Sequence, residues 1–90
     1  MVTWEVRYHK RINSHLKNLK AAGLIEKAKK VAESIEVDPF STSHSFEKLV
    51  GKLKGYYSKR INIKHRLVYS VDTATQIVYI YSMWSHYENV

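Results

Sequence analysis

The N-terminal half of the chain changes its hydrophobic period from two residues to between three and four. Residues 3–8 alternate and are rich in β-formers, which predicts a short strand. Apolar positions spaced by three or four residues then predict two helices, Ile12, Leu16, Leu19 and Ala22 in the first and Ile25, Ala28, Val31, Ala32 and Ile35 in the second. Gly23 suits a left-handed helix cap between them, and Asp38-Pro39 ends the second helix because the residue before proline avoids helical geometry.

The C-terminal half has the pattern of three consecutive strands. Residues 56–61, 65–71 and 76–83 are rich in β-branched and aromatic residues and are separated by turns at 62–64 and 72–75. The last of these runs is apolar on both parities, which favours a central position in a sheet over an edge. Residues 46–55 are less regular, since Gly51 and Gly55 interrupt the apolar anchors, and we expect Glu47 to lie on a short helical turn or an irregular segment.

This order of elements predicts a single α+β domain over residues 1–90. A mostly antiparallel sheet of about four strands, with the N-terminal helical hairpin packed on one face, is the most economical arrangement. Because side chains two residues apart share a face of a strand, Leu67, Tyr69 and Val71 should meet the helices. Arg66 should then point to the open face, where the hairpin can bring Arg60 alongside it.

The charge of the chain narrows the choice of partners. Fifteen Lys and Arg against eight Asp and Glu give a formal net charge of +7 on 90 residues. The usual partners of such a surface are nucleic acid, an anionic membrane or an acidic protein, although a merely soluble basic domain would have the same composition. The chain has no cysteine, no secretory signal pattern and no apolar run long enough to span a bilayer. We therefore expect a cytoplasmic protein without a membrane partner.

Several residues in the C-terminal half form a set suited to RNA cleavage. The set consists of one carboxylate, two histidines and two arginines, namely Glu47, His65, His86, Arg60 and Arg66. Together they can supply a base, an acid and cations for a charged transition state. Each has a simpler interpretation, since arginines often line a solvated strand face and most carboxylates lie on the surface. No cluster of Asp, Glu and His has metal-ligand spacing, so we expect no metal and no other cofactor.

The same stretch resembles the Txe/YoeB family of bacterial toxins. The family's conserved block is present as EKL at 47–49, LKGYYSKRI at 53–61 and HRLVY at 65–69, preceded by DPF at 38–40 and followed by the pair His86-Tyr87. The resemblance covers about the last 55 residues. It implies a RelE-like, microbial-RNase-like fold and a ribosome-dependent mRNA endoribonuclease, an enzyme that needs no metal, from a type II toxin–antitoxin system.

The resemblance also implies catalytic roles by position. Glu47 lies where the family has its general base, Arg66 where an arginine stabilises the phosphorane, and His86 where the general acid lies. Tyr87 corresponds to the terminal tyrosine that helps to hold the scissile nucleotide, and Arg60 to a second arginine near the phosphate.

Further contacts to RNA phosphates are expected from residues around this block. Lys59 lies where some relatives have arginine, and Lys52 and Lys54 precede the predicted sheet. Tyr57 is a candidate for stacking on a base. The lysines of the two helices are expected to contact ribosomal RNA, although a solvated face of an amphipathic helix explains them equally.

The expected partners are mRNA in the ribosomal A site, ribosomal RNA and a cognate antitoxin. The antitoxin would lay an acidic, otherwise disordered segment over the basic face. A homodimer is also expected to be possible through Tyr81 and Trp84. Two alternatives remain open: a non-catalytic basic RNA- or DNA-binding module, and an inactive toxin relative that acts only in a repressor complex.

Overall fold

The computed structural model describes residues 4–84, and in this part the chain forms two helices and five strands. The elements in chain order are β1 (Glu5–Tyr8), α1 (Ile12–Ala21), α2 (Ile25–Val37), β2 (Glu47–Lys48), β3 (Tyr56–Arg60), β4 (Arg66–Asp72) and β5 (Ile77–Ser82). A 3₁₀ turn, Gly51–Leu53, lies between β2 and β3. The predicted α+β class, with a helical hairpin and a mostly antiparallel sheet, is confirmed.

The strands form one sheet in the order β1-β5-β4-β3-β2. Neighbouring strands are antiparallel except β1 and β5, which run parallel. The two helices carry the chain from β1 at one edge of the sheet to β2 at the other edge. β5 is an internal strand, as its apolar pattern predicted.

The prediction of a helical turn or irregular segment at Glu47 is wrong. Glu47 and Lys48 pair with Ser58 and Tyr57 and form β2 at the edge of the sheet. The chain can turn back to β3 because Gly51 and Gly55 have φ values of 67° and 97°, in the left-handed region that glycine adopts easily. A strand of two residues is too short to show a period in the sequence, and the sheet therefore has five strands instead of about four.

The hydrophobic core lies between the helices and one face of the sheet. Leu67 and Tyr69 of β4, at 0% exposure, face the helices as predicted. The hydroxyl group of Tyr69 donates a hydrogen bond of 2.6 Å to the carbonyl of Pro39, which fixes the loop after α2 to the core. Gly23, with φ of 73°, joins the helices as the predicted left-handed cap. The opposite face of β2, β3 and β4 carries the candidate site.

Candidate active site

The register of β2, β3 and β4 places the predicted site residues on the face away from the helices. Glu47 lies opposite Ser58, and Arg60 lies opposite Arg66. Since residues two apart share a face, Ser58 and Arg60 project from β3 to the same side. The fold thus brings together Glu47, Arg60 and Arg66, which are up to 19 positions apart in the chain.

Arg66 connects the carboxylate to this face. Its Nη1 donates to Oε1 of Glu47 at 3.3 Å and to Oγ of Ser58 at 3.4 Å. The side chain of Arg66 is only 15% exposed, whereas that of Glu47 is 48% exposed. A half-exposed ion pair of this kind contributes at most about 1 kcal/mol to stability. The arrangement therefore holds a guanidinium group in place and leaves the carboxylate within reach of a ligand.

Arg60 adds a second guanidinium group beside the first. Its Nε is buried and has no hydrogen-bond partner among residues 4–84. In the part of the chain that the structure describes, two arginines thus lie next to the Glu47 carboxylate, and the charge of this cluster is positive. Such a surface favours an anion with several oxygen acceptors, of which a phosphate group is the commonest example.

The cluster lies on a closely packed part of the sheet. Ser58, Val68 and Ser82, from β3, β4 and β5, have exposures of 0%, 0% and 1%. One step along the strands, the rings of Tyr56 and Tyr81 meet edge to face with centroids 5.0 Å apart. Burial, together with the Tyr81 hydroxyl, raises the pKa of Tyr56, so this phenol stays neutral near pH 7. The tyrosines border the charged cluster with aromatic surface.

Lys59 does not belong to this face, and the prediction that it contacts phosphate is wrong. It alternates with Ser58 and Arg60, and it therefore points toward the helices, where its exposure is 0%. Burial lowers the pKa of Lys59, with Asp38 acting in the opposite direction. The two-residue period of the strand already indicated that Lys59 points away from the face of Ser58 and Arg60. The phosphate contact was expected instead because some relatives have arginine at this position.

Tyr57 also projects toward the helices. Its ring stacks on Phe46 at 5.7 Å and meets Phe40 at 5.5 Å and Tyr69 at 5.8 Å. Tyr57 is also one of the residues that line a cavity of about 380 Å³ at the connection between β2 and β3. The lining residues of the cavity are Lys48, Leu49, Val50, Gly51, Lys54, Gly55, Tyr56 and Tyr57.

The predicted lysines lie around this cavity. Lys54 lines it, and the exposed Lys52 lies on the 3₁₀ turn between the two glycines. Lys48, which the sequence did not single out, lines it from β2. The residues that line the cavity therefore include two lysines and two tyrosines, at the edge of the sheet that also carries Glu47.

His65 supports the C-terminal end of the described chain. Its ring is 8% exposed and stacks on Trp84 with centroids 4.0 Å apart and an angle of 14° between the planes. Trp84 and Tyr81 are both partly buried by contacts within the chain, which makes them smaller surfaces for a dimer contact than expected. The predicted acid His86 and the predicted Tyr87 lie outside the described residues.

Two features of the site were missed in the sequence. Ser58 contacts Arg66, and its position two residues before Arg60 was the available signal. The stack between His65 and Trp84 depends on how the end of β5 passes the β3–β4 turn, which no spacing in the sequence shows. In the part of the chain from residue 4 to residue 84, no three His, Asp or Glu side chains are close enough to hold a metal ion. No helix of that part has the length and apolar character required to cross a membrane.

Several solved structures of toxins and toxin–antitoxin complexes have a fold similar to that of this chain. A YoeB/ParE toxin from Agrobacterium tumefaciens superposes with a TM-score of 0.81 at 25% identity, over 92% of this chain and 99% of that one. A YoeB dimer from Staphylococcus aureus gives 0.77 at 30% identity, over 93% and 98%. The RelE–RelB complex from Pyrococcus horikoshii shares the fold, with a TM-score of 0.74 at 22% identity over 94% and 96%.

A sequence comparison shows the family to which the chain belongs. The family model for the YoeB-like toxin of bacterial type II toxin–antitoxin systems matches residues 5–87, and the chain belongs to this family. Toxin YoeB from Synechocystis is 37% identical over 65 residues, which are 72% of this chain and 73% of that toxin. Toxin RelK from Mycobacterium tuberculosis is 54% identical over 35 residues, 39% of this chain and 41% of the relative.

Proposed function

We propose that the protein is a ribosome-dependent mRNA endoribonuclease that inhibits translation by cutting the codon in the ribosomal A site. The observation that carries the proposal is the contact of Glu47 with Arg66 beside Arg60, on the sheet face that the helices leave open. This cluster combines a base with two cations that can hold a phosphodiester. Membership of the YoeB-like toxin family supports the same function.

The proposed reaction is attack of a ribose 2′-hydroxyl group on its own neighbouring phosphorus. Glu47 removes the proton of the hydroxyl group, and Arg66 and Arg60 stabilise the added negative charge on the phosphorane. His86 protonates the departing 5′-oxygen, and Tyr87 holds the scissile nucleotide. These side chains supply the acid, the base and the charge stabilisation, and the proposed reaction therefore uses no metal and no other cofactor.

The basic surface around the cluster is proposed to hold RNA on the ribosome. Lys54 and Tyr57 line the cavity at the connection between β2 and β3, and Lys52 lies on the 3₁₀ turn next to it. Cations at this edge would contact phosphates of mRNA or ribosomal RNA. We accordingly propose that the protein acts in the cytoplasm, where its proposed target, the ribosome, is found.

A cognate antitoxin and a second copy of the toxin are the proposed protein partners. The Staphylococcus aureus relative was solved as a YoeB–YefM complex, as a heterotetramer with its antitoxin and as a YoeB dimer. A net charge of +7 suits an acidic antitoxin segment that covers the same face as RNA.

Programmed ribosomes test the proposal. The protein is incubated with ribosomes that carry a defined mRNA, the cut is mapped, and the upstream end is analysed chemically. We expect a cut within the A-site codon that leaves a 2′,3′-cyclic phosphate or 3′-phosphate, with far less cutting of the same mRNA without ribosomes. A 3′-hydroxyl on the upstream fragment would contradict attack by the 2′-hydroxyl group.

A non-catalytic function is the second candidate, either as a nucleic-acid-binding module or as an inactive toxin in a repressor complex. The tyrosine pair Tyr56–Tyr81 favours it, because such rings can stack on bases without any reaction. Glu47 discriminates between the two functions, since a carboxylate facing phosphate weakens a pure binding surface. Expression without an antitoxin should arrest growth if the protein is an active toxin, and Glu47→Ala with His86→Ala should restore it.

A further inference from the structure

Lys59 is the most completely buried charge in the described part of the chain. Its Nζ donates hydrogen bonds to three serine hydroxyl groups, at 2.6 Å to Ser41, 3.1 Å to Ser43 and 3.4 Å to Ser34. No carboxylate of residues 4–84 lies within ion-pair distance of it. A buried ammonium group without a paired charge costs free energy, so hydrophobic packing alone would not favour it.

The three hydroxyl groups belong to two parts of the fold. Ser34 is on α2, whereas Ser41 and Ser43 are on the loop that connects α2 to β2. Lys59 itself is on β3, so its ammonium group ties helix, loop and sheet together. A lysine suits this geometry better than an arginine, because it presents three donors around one atom.

The loop that Lys59 holds leads directly to Glu47. The backbone N–H of Arg60 donates to the carbonyl of His44 at 2.7 Å, which is the next point of attachment along the loop. His44 and Ser45 have φ values of 56° and 55°, a conformation that costs free energy for residues other than glycine. The loop thus needs anchors to keep this path.

β2 has few restraints of its own. Its two residues pair only with β3, at the outer edge of the sheet, and both are exposed. The direction in which the chain enters β2 therefore decides where the Glu47 carboxylate lies relative to Arg66.

We propose that Lys59 is a positioning residue for Glu47, acting through the serine-anchored loop and without contact to RNA. The proposal rests on the proposed function, in which Glu47 is the base. Lys59→Met keeps the apolar stem and removes the ammonium group. A displacement of a catalytic group by about 1 Å can cost about 10²-fold in rate, so we expect kcat to fall by about tenfold to a hundredfold while KM changes little.

A double-mutant cycle separates positioning from general damage. Lys59→Met is measured in the wild-type background and in the Glu47→Gln background, for cleavage on programmed ribosomes. If Lys59 acts through Glu47, the loss in kcat should be much smaller once Glu47 is already replaced. An equal loss in both backgrounds, an unchanged kcat, or a raised KM with a weaker salt dependence of binding would overturn the proposal. The last result would indicate instead that Lys59 contacts a phosphate group directly.

A second variant covers the case in which Lys59→Met does not fold. Ser41→Ala with Ser43→Ala removes two of the three hydrogen bonds from the loop side, and Thr42→Ala, at an exposed position between them, is the matched control. The double variant should reproduce the loss in kcat and the control should not. An active double variant with wild-type kcat would contradict the proposal.

Hydrogen exchange tests the positioning without any assay of cleavage. The amide groups of Arg60 and Leu49 donate to His44 and Tyr56 at the two ends of the segment that carries Glu47. In Lys59→Met both should exchange faster, while amides of the β4–β5 pair keep their protection. Unchanged exchange would refute the anchoring itself. A wild-type protein that fails to cut RNA would refute the proposed function instead, and the two failures are thus distinguishable.

Discussion

Arg66 and Lys59 carry the same charge on adjacent strands, yet the sheet gives them opposite surroundings. Arg66 lies on the face away from the helices and contacts Glu47, whereas Lys59 is enclosed by serine hydroxyl groups on the helix side. Only the parity of each position within its strand separates the two. A basic residue in this family block therefore has no fixed role, and each is assigned by the face to which it points.

Arg66→Lys tests whether the shape of the guanidinium group matters at the cluster. Lysine keeps the charge but cannot bridge Glu47 and a phosphate group with a planar fork, so we expect kcat on programmed ribosomes to fall by at least about tenfold. Arg7→Lys is the matched control, because Arg7 forms an exposed ion pair with Glu5 on β1. Equal activity of the two variants would show that charge alone suffices.

Tyr69→Phe tests the hydrogen bond that fixes the loop after α2. The phenol is fully buried, and burial raises its pKa far above the usual range, so it remains a donor at any pH at which the protein is studied. Without the hydroxyl group the carbonyl of Pro39 stays buried without this hydrogen bond. We therefore expect the free energy of unfolding to fall by about 1–3 kcal/mol. Denaturant titration measures this loss. Tyr8→Phe, at a side chain 54% exposed, should change stability by less than about 0.5 kcal/mol.

The helices and strands that could be predicted from the sequence are those with a regular spacing of apolar residues. Both helices and the strands β3, β4 and β5 follow from apolar spacing, and with them the pairing of Arg60 with Arg66 across a hairpin. β2 and the parallel pairing of β1 depend on contacts between distant parts of the chain. The contact of Glu47 with Arg66 could therefore be expected only from the resemblance, since it requires the register of β2 on β3.

His15 connects α1 to the end of β5, and this link should depend on pH. Its Nδ1 accepts a hydrogen bond of 3.2 Å from the backbone N–H of Met83. Burial, then the charges of Arg11 and His9, lower the pKa of His15 below its ordinary value of 6.5. The unfolded chain then binds the proton first, so stability is retained near pH 7 and is lost as the pH falls below about 6.5.

His15→Gln should remove this part of the pH dependence. Denaturant unfolding between pH 7.5 and pH 5 should show a smaller loss of the free energy of unfolding than in the wild type. The reason is that glutamine at position 15 cannot take up a proton. His44→Gln, at an exposed loop position, is the control and should follow the wild type. Parallel profiles for His15→Gln and the wild type would show that protonation of His15 does not cause this loss of stability.

Over the whole molecule, part of the positive charge is concentrated at a cavity at the edge of the sheet. Lys48 and Lys54 border the cavity between β2 and β3 together with two tyrosines. Glu47 and Lys48 are consecutive residues of β2, so their side chains project from opposite faces of this edge strand. An RNA backbone bound at the cavity would therefore have to pass around the edge of the sheet to reach Glu47.

Lys48→Ala with Lys54→Ala tests this edge by salt dependence. Binding of single-stranded RNA is measured in the Glu47→Gln background at several salt concentrations. If each lysine neutralises one phosphate, the slope of log K against log salt should become less steep by about 1.4, at about 0.7 for each phosphate. Lys17→Ala with Lys27→Ala, at exposed positions on the two helices, should leave the slope nearly unchanged. Equal changes in both pairs would indicate a diffuse basic surface without a defined edge.

Glu47 and the two arginines are proposed to form the catalytic centre of an RNA-cleaving toxin. The most direct measurement compares Glu47→Gln with Glu33→Gln, an exposed carboxylate on α2, for single-turnover cleavage of mRNA on programmed ribosomes. We predict that Glu47→Gln lowers the rate by about 10²–10⁴-fold while ribosome binding is retained, and that Glu33→Gln cuts at the wild-type rate. Cleavage by Glu47→Gln at the wild-type rate would contradict the account.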